Sequence, residues 1–481
     1  MQHYLLLIAG YLVTLWLIRW VLLMRKQQPH ATVAWILVIV LLPYLGGIMF
    51  LFFGVNRVAR RKARKLQATR DIAGQLTNLA EYHLSENYPL SDLQTRLMRL
   101  AERAAGTVPT AGNRIEVLPD TNVTLRRIEQ AIEQAQSSIH LEYYIWRPDQ
   151  TGLRLRDLLI ERARAGVVVR FLYDQFGSFS LNHAFFKPMR EAGIQVSPFL
   201  PGTTLRERWS VNLRCHRKIV VVDGQFGFTG GMNIGNEYQG KDPQIGFWRD
   251  THLQLSGPTV LQLQQVFAED WYYACGEDLT ETLWFPQIPV PDSESTTEEA
   301  VAAQVVSSGP VGDVRTMHSL IFGAINEART QVLLTTSYFV PTDALVTALE
   351  TAALRGVRVR VLLPRRSSFR PTVLAGRSFY EGLLRAGVEI HEYHRGALHS
   401  KTLTVDGCWS LVGTPNIDSR SLLLNFETAV AFYDERIARE LEDQFERDLE
   451  HARWMHYDVW IRRPLRQVLY ENICRMFSPI L

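Results

Sequence analysis

Apolar positions run in three regimes along the chain. At the start they are nearly continuous: residues 4–24 and 32–53 are each long enough to cross a bilayer core of roughly 30 Å. This predicts a transmembrane helical hairpin. Arg19 lies near the end of the first run, where it can snorkel to the interface with Arg25 and Lys26. Pro43 and the Gly46-Gly47 pair interrupt the second run, so a spanning hairpin and a re-entrant one both stay open. A cleaved signal peptide fits poorly, because no Lys or Arg precedes the first run and no small-residue cleavage site follows it. Residues 56–65 then carry six Lys/Arg against two in the connecting loop, which places both hairpin ends on the cytoplasmic side. Beside a membrane the same charges would meet anionic headgroups.

From residue 109 on, short β-rich apolar runs alternate with stretches of helical period, and the order repeats. Runs at 139–149, 163–174 and 190–196 recur at 332–343, 353–364 and 384–390. Helical stretches at 153–166 and 343–356 end in Gly166 and Gly356, as helices often do. The pattern predicts an α/β fold of two lobes, each a sheet covered by helices. The divisions are a membrane hairpin at 1–56, a basic juxtamembrane region at 57–108 and a first lobe at 109–285. A polar, acidic linker at 286–305, a second lobe at 306–433 and a helical tail at 434–481 complete the chain. The tail's aromatic and arginine cluster at 460–466 suits a membrane surface or a helix docked on the lobes. Gly193 to His216 spans 23 positions and Gly387 to His399 only 12, so the first lobe has an insertion at 201–213, placed to act as a lid.

The third regime is a pair of buried-looking strands that begin with polar residues, "CHRKIVVVDG" from Cys215 and "LHSKTLTVDG" from Leu398. Side chains alternate along a strand, so His216 shares a face with Lys218, and His399 with Lys401. Asp223 and Asp406 stand seven positions after their histidines, an odd offset that turns them away and assigns them to scaffolding. Asp223-Gly224 and Asp406-Gly407 predict two-residue hairpin turns. Such turns set position 231 opposite His216 and 414 opposite His399, and bring Asn233 and Asn416 to the same ends. One surface His/Lys pair is usually inert, but the same constellation twice at matching places of a repeat points to chemistry. A phosphodiester repels nucleophiles, so lysines and amides are wanted around its oxygens. Its leaving alkoxide is poor, so one imidazole attacks while a protonated one donates to the leaving oxygen.

Composition adds limits. With 481 residues, 47% hydrophobic and 21% charged, the chain is an ordinary folded one, and a net charge of +3 gives no global field for nucleic acid. No aromatic-rich basic stripe of the kind single-strand binders use is present. Cys215, Cys275, Cys408 and Cys474 are far apart, which favours reduced thiols over disulfides or a zinc site, with Cys215 a buried bystander. The thirteen histidines offer no HExxH or other clear ligand spacing, and the chemistry requires neither metal nor cofactor.

HxKxxxxD thus stands twice, as HRKIVVVD and HSKTLTVD, each followed by Gly-x-x-Asn, "GGMN" and "GTPN". Over roughly residues 109–433 this resembles the phospholipase D superfamily. The segments "LFFGVNR", "FWRDTHLQLSGPTVLQLQQVFAEDW", "NIDSRSLLLNFE" and "RMFSPIL" narrow the resemblance to the bacterial cardiolipin synthases. It implies two phospholipase D-like lobes, a pseudo-twofold repeat of mixed sheets flanked by helices, meeting at a shared site. It counts His216, Lys218, Asp223, His399, Lys401 and Asp406 in the catalytic motif, with His216 as nucleophile and His399 as acid and then base. Lys218, Lys401, Asn233 and Asn416 would hold phosphate. The histidine-orienting carboxylate falls on Glu427 in the second lobe and, after a longer loop, on Asp250 in the first. The implied reaction is phosphatidyl transfer between two phosphatidylglycerol molecules, giving cardiolipin and glycerol through a phosphohistidine. Hydrolysis to phosphatidic acid and use of phosphatidylethanolamine as co-substrate are the alternatives; a non-enzymatic lipid-binding scaffold fits poorly with two intact motif sets. The implied partners are phospholipids and the bilayer, not nucleic acid, in the bacterial cytoplasmic (inner) membrane with the lobes on the cytoplasmic side. A homo-oligomer stays open.

Overall fold

The computed structural model describes residues 2–23, 29–51, 67, 69–70, 72, 81–85, 88–199, 213–288, 300–310, 315–367 and 369–477. The basic run at 56–65, the insertion at 201–213 except Leu213, and most of the linker lie outside the described residues. The chain divides into two compact units, Met1–Arg64 and Lys65–Leu481.

The first unit holds helices Gln2–Leu23, Pro29–Leu41 and Pro43–Met49. The second expected span is therefore two helices: Pro43 lacks the N–H that would continue the ladder and instead starts a new helix. Leu17, Val21, Ile39 and Phe50 form a small core, with Trp20 edge-on to Phe50 at 5.8 Å. Among the described residues, no helix is long and apolar enough to cross a membrane.

The second unit is built on one long mixed sheet. Its first half uses β1 (Thr110–Asp120), β2 (Ser138–Tyr143), β3 (Val168–Tyr173), β4 (Gln195–Pro198), β5 (Lys218–Val222), β6 (Phe226–Gly230) and β7 (Trp248–Ser256), ordered β1-β7-β6-β5-β2-β3-β4. The second half uses β8 (Val301–Ser308), β9 (Gln331–Thr335), β11 (Arg358–Pro364), β12 (Glu389–Tyr393), β13 (Ala397–Leu398), β14 (Thr402–Val405), β15 (Trp409–Gly413), β17 (Glu427–Phe432) and β18 (Ala452–Met455), while β10 (Phe339–Val340) and β16 (Ile417–Asp418) pair as a separate two-stranded sheet. Its order, β8-β17-β15-β14-β9-β11-β12, repeats the first, and the halves join where β1 pairs antiparallel with β8. The sequence repeat is thus a pseudo-twofold repeat of α/β lobes. A core of Phe267, Trp271, Val412, Phe426 and Val430 straddles the join.

Both motif hairpins turn at the expected dipeptides. Asp223 and Gly224 have φ of 53° and 64°, Asp406 and Gly407 of 51° and 64°, the left-handed pair of a type I′ turn. The register nevertheless differs from the two-residue expectation: Val222 pairs with Phe226 and Val405 with Trp409. Gln225 and Cys408 are extra residues, a bulge that moves the extrapolated partners of the histidines from 231 and 414 to 232 and 415. The Asp223 carboxylate accepts the N–H groups of Gln136, Ser137 and Ser138 at 2.7–2.8 Å. Asp406 does the same for Arg329, Thr330 and Gln331 at 2.8–2.9 Å. Both stand at the end of the hairpin away from the histidines, so the catalytic place that motif resemblance gives them yields to scaffolding.

The tail differs in part from a purely helical reading. After helix Glu435–Leu449, β18 adds an antiparallel edge strand to β12. Helix Leu465–Met476 follows; Trp460 packs on Tyr380 at 5.0 Å, and Arg463 pairs with buried Glu471 at 3.0 Å. Asp406→Ala removes the acceptor for three N–H groups, and the thermal midpoint of the detergent-solubilised protein is expected to fall by the equivalent of about 2 kcal/mol. Specific activity per folded molecule is expected to hold; an unchanged midpoint would contradict the scaffolding place.

Candidate active site

The stretch before each histidine does not stay in its own half. Cys215 bridges Phe426, the His216 N–H donates to the Phe426 carbonyl (2.9 Å), and the Phe426 N–H donates to that of Arg214 (2.9 Å). In mirror fashion β13 runs parallel to β7, and the His399 N–H donates to the Arg249 carbonyl (2.7 Å). Each histidine is thereby delivered to a carboxylate of the opposite half. His216 Nδ1 lies 2.9 Å from Glu427 Oε2, and His399 Nδ1 lies 2.8 Å from Asp250 Oδ2. An ionised carboxylate only accepts, so each Nδ1 carries the proton and each Nε2 is left for chemistry.

The carboxylates are themselves held. Thr414 Oγ1 donates to Glu427 Oε2 at 2.5 Å and Asn425 Nδ2 to Oε1 at 3.3 Å. Asp250 takes the Trp248 indole N–H (3.4 Å) and the Thr251 N–H (2.8 Å). At Gly231, the counterpart of Thr414, a Cβ would stand 1.9 Å from Asp250 Oδ1, so only glycine admits that carboxylate. Lys218 Nζ donates to the His216 carbonyl at 2.6 Å, and Lys401 to the His399 carbonyl. Asn233 Oδ1 accepts the Ile145 N–H (3.2 Å), and Asn416 Oδ1 accepts the Ser337 hydroxyl (2.6 Å). Seven of these eight His, Lys, Asn and carboxylate side chains are buried, and His399 is partly buried.

Burial sets the charges. It pushes His216 down to about 4 against the pull of Glu427, and His399 down to about 4, with Lys401 adding to the fall. Burial also pushes Lys218 down to about 7, with Lys401 adding to it and Glu427 and Asp250 opposing. Lys401 is pushed down to about 8 by burial, against both carboxylates. For Glu427 and Asp250 burial works upward, but the facing histidines and lysines outweigh it and hold both below the ordinary carboxylate value. The result is two neutral imidazoles on two anionic carboxylates beside two ammonium groups that burial makes reluctant to hold their protons, a centre in which a further anion would favour the charged lysines.

Residues 128–271 and 321–449 match the family described as "Cardiolipin synthase, PLD-like domain", and residues 12–54 match "Phospholipase_D-nuclease N-terminal". A cardiolipin synthase of Geobacillus thermodenitrificans (strain NG80-2) is 38% identical over 466 residues, covering 96% of this chain and 91% of its own. The chain belongs to the cardiolipin synthase family of phosphatidyltransferases. Cardiolipin synthase 1 of Bacillus anthracis is 35% identical over 468 residues, covering 96% of this chain and 92% of its own. The phosphatidylserine synthase of Haemophilus influenzae Rd KW20 shares the fold, with TM-score 0.61 at 14% identity over 81% of this chain and 98% of that one.

Several neighbours carry no signal in the motifs of this cardiolipin synthase family member. Tyr144 stands edge-on to His216 at 4.9 Å and Trp248 packs on His399 at 5.3 Å. Arg217, between the two motif residues, points to the other face, where it pairs with Asp270 and donates to the carbonyls of Glu427 (3.3 Å) and Ser308 (3.2 Å). Glu142, Cys215 and Asp270 bring three ligand-type atoms within 4.8 Å of one another there, but the Arg217 guanidinium already meets their charge. His252, two residues after Asp250, is buried with no partner among the described residues for either ring nitrogen, and burial pushes it down to about 4. Strand alternation identifies Arg217 as outward from the centre; the others need the fold.

An anion bound at the centre raises both lysine pKa values, so at pH 8 association of a non-hydrolysable phosphodiester is expected to take up protons. Titration calorimetry in two buffers of different ionisation enthalpy reads this directly. Heats independent of buffer would mean that the lysines do not face the ligand.

Proposed function

We propose that the chain makes cardiolipin and glycerol from two phosphatidylglycerol molecules at the crossed His216–Glu427 and His399–Asp250 pairs, which carry this reading. Nε2 of neutral His216 attacks phosphorus, forming a P–N bond as the P–O bond to glycerol breaks. His399, protonated once the diester's charge offsets the lysines, gives its Nε2 proton to the leaving oxygen. Neutral again, His399 takes the proton of a glycerol hydroxyl on a second phosphatidylglycerol, whose oxygen displaces His216 from phosphorus. Lys218, Lys401, Asn233 and Asn416 hold the non-bridging oxygens, and Glu427 and Asp250 fix each imidazole's tautomer. One diester bond replaces another, so no activated donor enters.

The apolar runs at 4–24 and 32–53 hold the enzyme in the bacterial inner membrane with its lobes on the cytoplasmic side. Exposed Leu465, Leu469, Ile473 and Met476, spaced along one face of the last helix, add contact with the bilayer surface.

Purified enzyme given headgroup-labelled phosphatidylglycerol as sole lipid is expected to release cardiolipin and glycerol in equal amounts; phosphatidic acid instead would make it a hydrolase. With a phosphatidyl donor whose leaving group needs no protonation, His399→Ala is expected to accumulate a phosphohistidine and turn over at least about a hundredfold more slowly. His216→Ala is expected to form none. A phosphohistidine in His216→Ala but not in His399→Ala would reverse the two roles.

A further inference from the structure

The proposed reaction brings two phosphodiesters together, and the His–Lys–Asn centre accommodates one. The acceptor lipid carries an anionic phosphate of its own, one glycerol away from its attacking hydroxyl. It meets repulsion from the phosphatidyl group on His216 unless positive charge receives it.

Arg214 stands two residues before His216 and is only 7% exposed. Its guanidinium lies over the Phe176 ring at 3.9 Å. Its only hydrogen bond among the described residues runs from Nη1 to the Leu213 carbonyl, 3.1 Å away, although a guanidinium has five N–H donors. The negative charge it feels is Asp174, but that carboxylate is already occupied: Oδ1 accepts the N–H groups of Phe176 and Gly177, and Oδ2 that of Cys215. No carboxylate among the described residues forms an ion pair with Arg214. A buried, stacked guanidinium with spare donors suits an incoming phosphate.

The second half supplies another arginine at the same place. The Arg420 carbonyl accepts the N–H groups of Leu424 and Asn425, and the next residue, Phe426, is the one bonded to the Arg214 carbonyl. The two side chains are close enough that Arg420, after burial, holds the Arg214 pKa down. Tyr144 stands against the catalytic centre: its ring is 4.9 Å from that of His216 and 5.4 Å from Lys218 Nζ. Burial pushes its hydroxyl up to about 12, so it remains a donor while feeling both arginines.

We propose that Arg214 and Arg420, with the Tyr144 hydroxyl, form a second anion subsite beside His216 that receives the acceptor lipid's own phosphodiester. This rests on the phosphatidyl-transfer reading above. It gives the enzyme a reason to prefer an anionic acceptor over water or glycerol, which have no charge to place there.

Two activities of the full-length enzyme separate the subsite from the shared centre. Exchange of labelled glycerol into phosphatidylglycerol uses the His216 step forward and back with an uncharged acceptor, whereas cardiolipin formation needs the acceptor phosphate. In Arg214→Gln, the ratio of cardiolipin formed to glycerol exchanged is expected to fall about tenfold, with a raised KM for acceptor, and Arg214→Lys is expected to restore part of it. An unchanged ratio, whether both activities fall together or neither falls, would overturn the subsite. Inorganic phosphate provides the second arm: if it alters glycerol exchange in the wild type but not in Arg214→Gln, the site is one for free phosphate and the acceptor assignment is wrong. Absence of both activities from the wild type would defeat the transfer reading itself, a result distinct from any of these.

Discussion

The site depends on a backbone exchange between the halves of the sheet. The residues ahead of His216 bond to the strand that carries Glu427, and those ahead of His399 to the strand that carries Asp250. Neither half holds a complete histidine–carboxylate pair, so the chemistry requires both halves in one register. Ladder bonds are short and directional, and they set that register more tightly than side-chain packing alone. Arg217 reinforces it by donating to the Glu427 carbonyl, and Ser400 with Thr251 (2.7 Å) reinforces the other pair.

Burial of so many ionisable groups is costly, and the arrangement offsets that cost by alternating sign. Lys218 sits among Glu427, Asp250 and Lys401, and burial still holds both lysine pKa values down. An incoming diester would oppose that fall. In the proposed reaction the same anion lets His399 hold the proton it donates, which makes substrate binding and acid activation one electrostatic event.

The repeat is close but unequal where the two histidines must differ. Thr414 donates a hydrogen bond to Glu427, while its counterpart Gly231 only makes room for Asp250. His252 stands near Asp250, and the corresponding position near Glu427 is Ala429. Arg217, tied to Asp270, has Ser400 as its counterpart, which bonds instead to Thr251. Such differences in neighbours are what the opposite roles proposed for the two imidazoles require.

The sequence by itself determined the repeat, the strand faces and the turn dipeptides, because these follow from period and local backbone chemistry. His216 with Lys218, His399 with Lys401, and the outward Asp223 and Asp406 were legible from alternation alone. The one-residue bulge at Gln225 and Cys408 was not, since a type I′ dipeptide fixes the turn but not how many residues leave the ladder around it. Glu427 and Asp250 could be named from resemblance, but which histidine each serves was decided only by the crossing of β13 and of the Cys215 bridge into the opposite half. Arg214, Tyr144 and Trp248 acquire a place beside the histidines in the same way. Contacts between residues far apart in the chain depend on how the two halves meet, and no local pattern encodes that meeting.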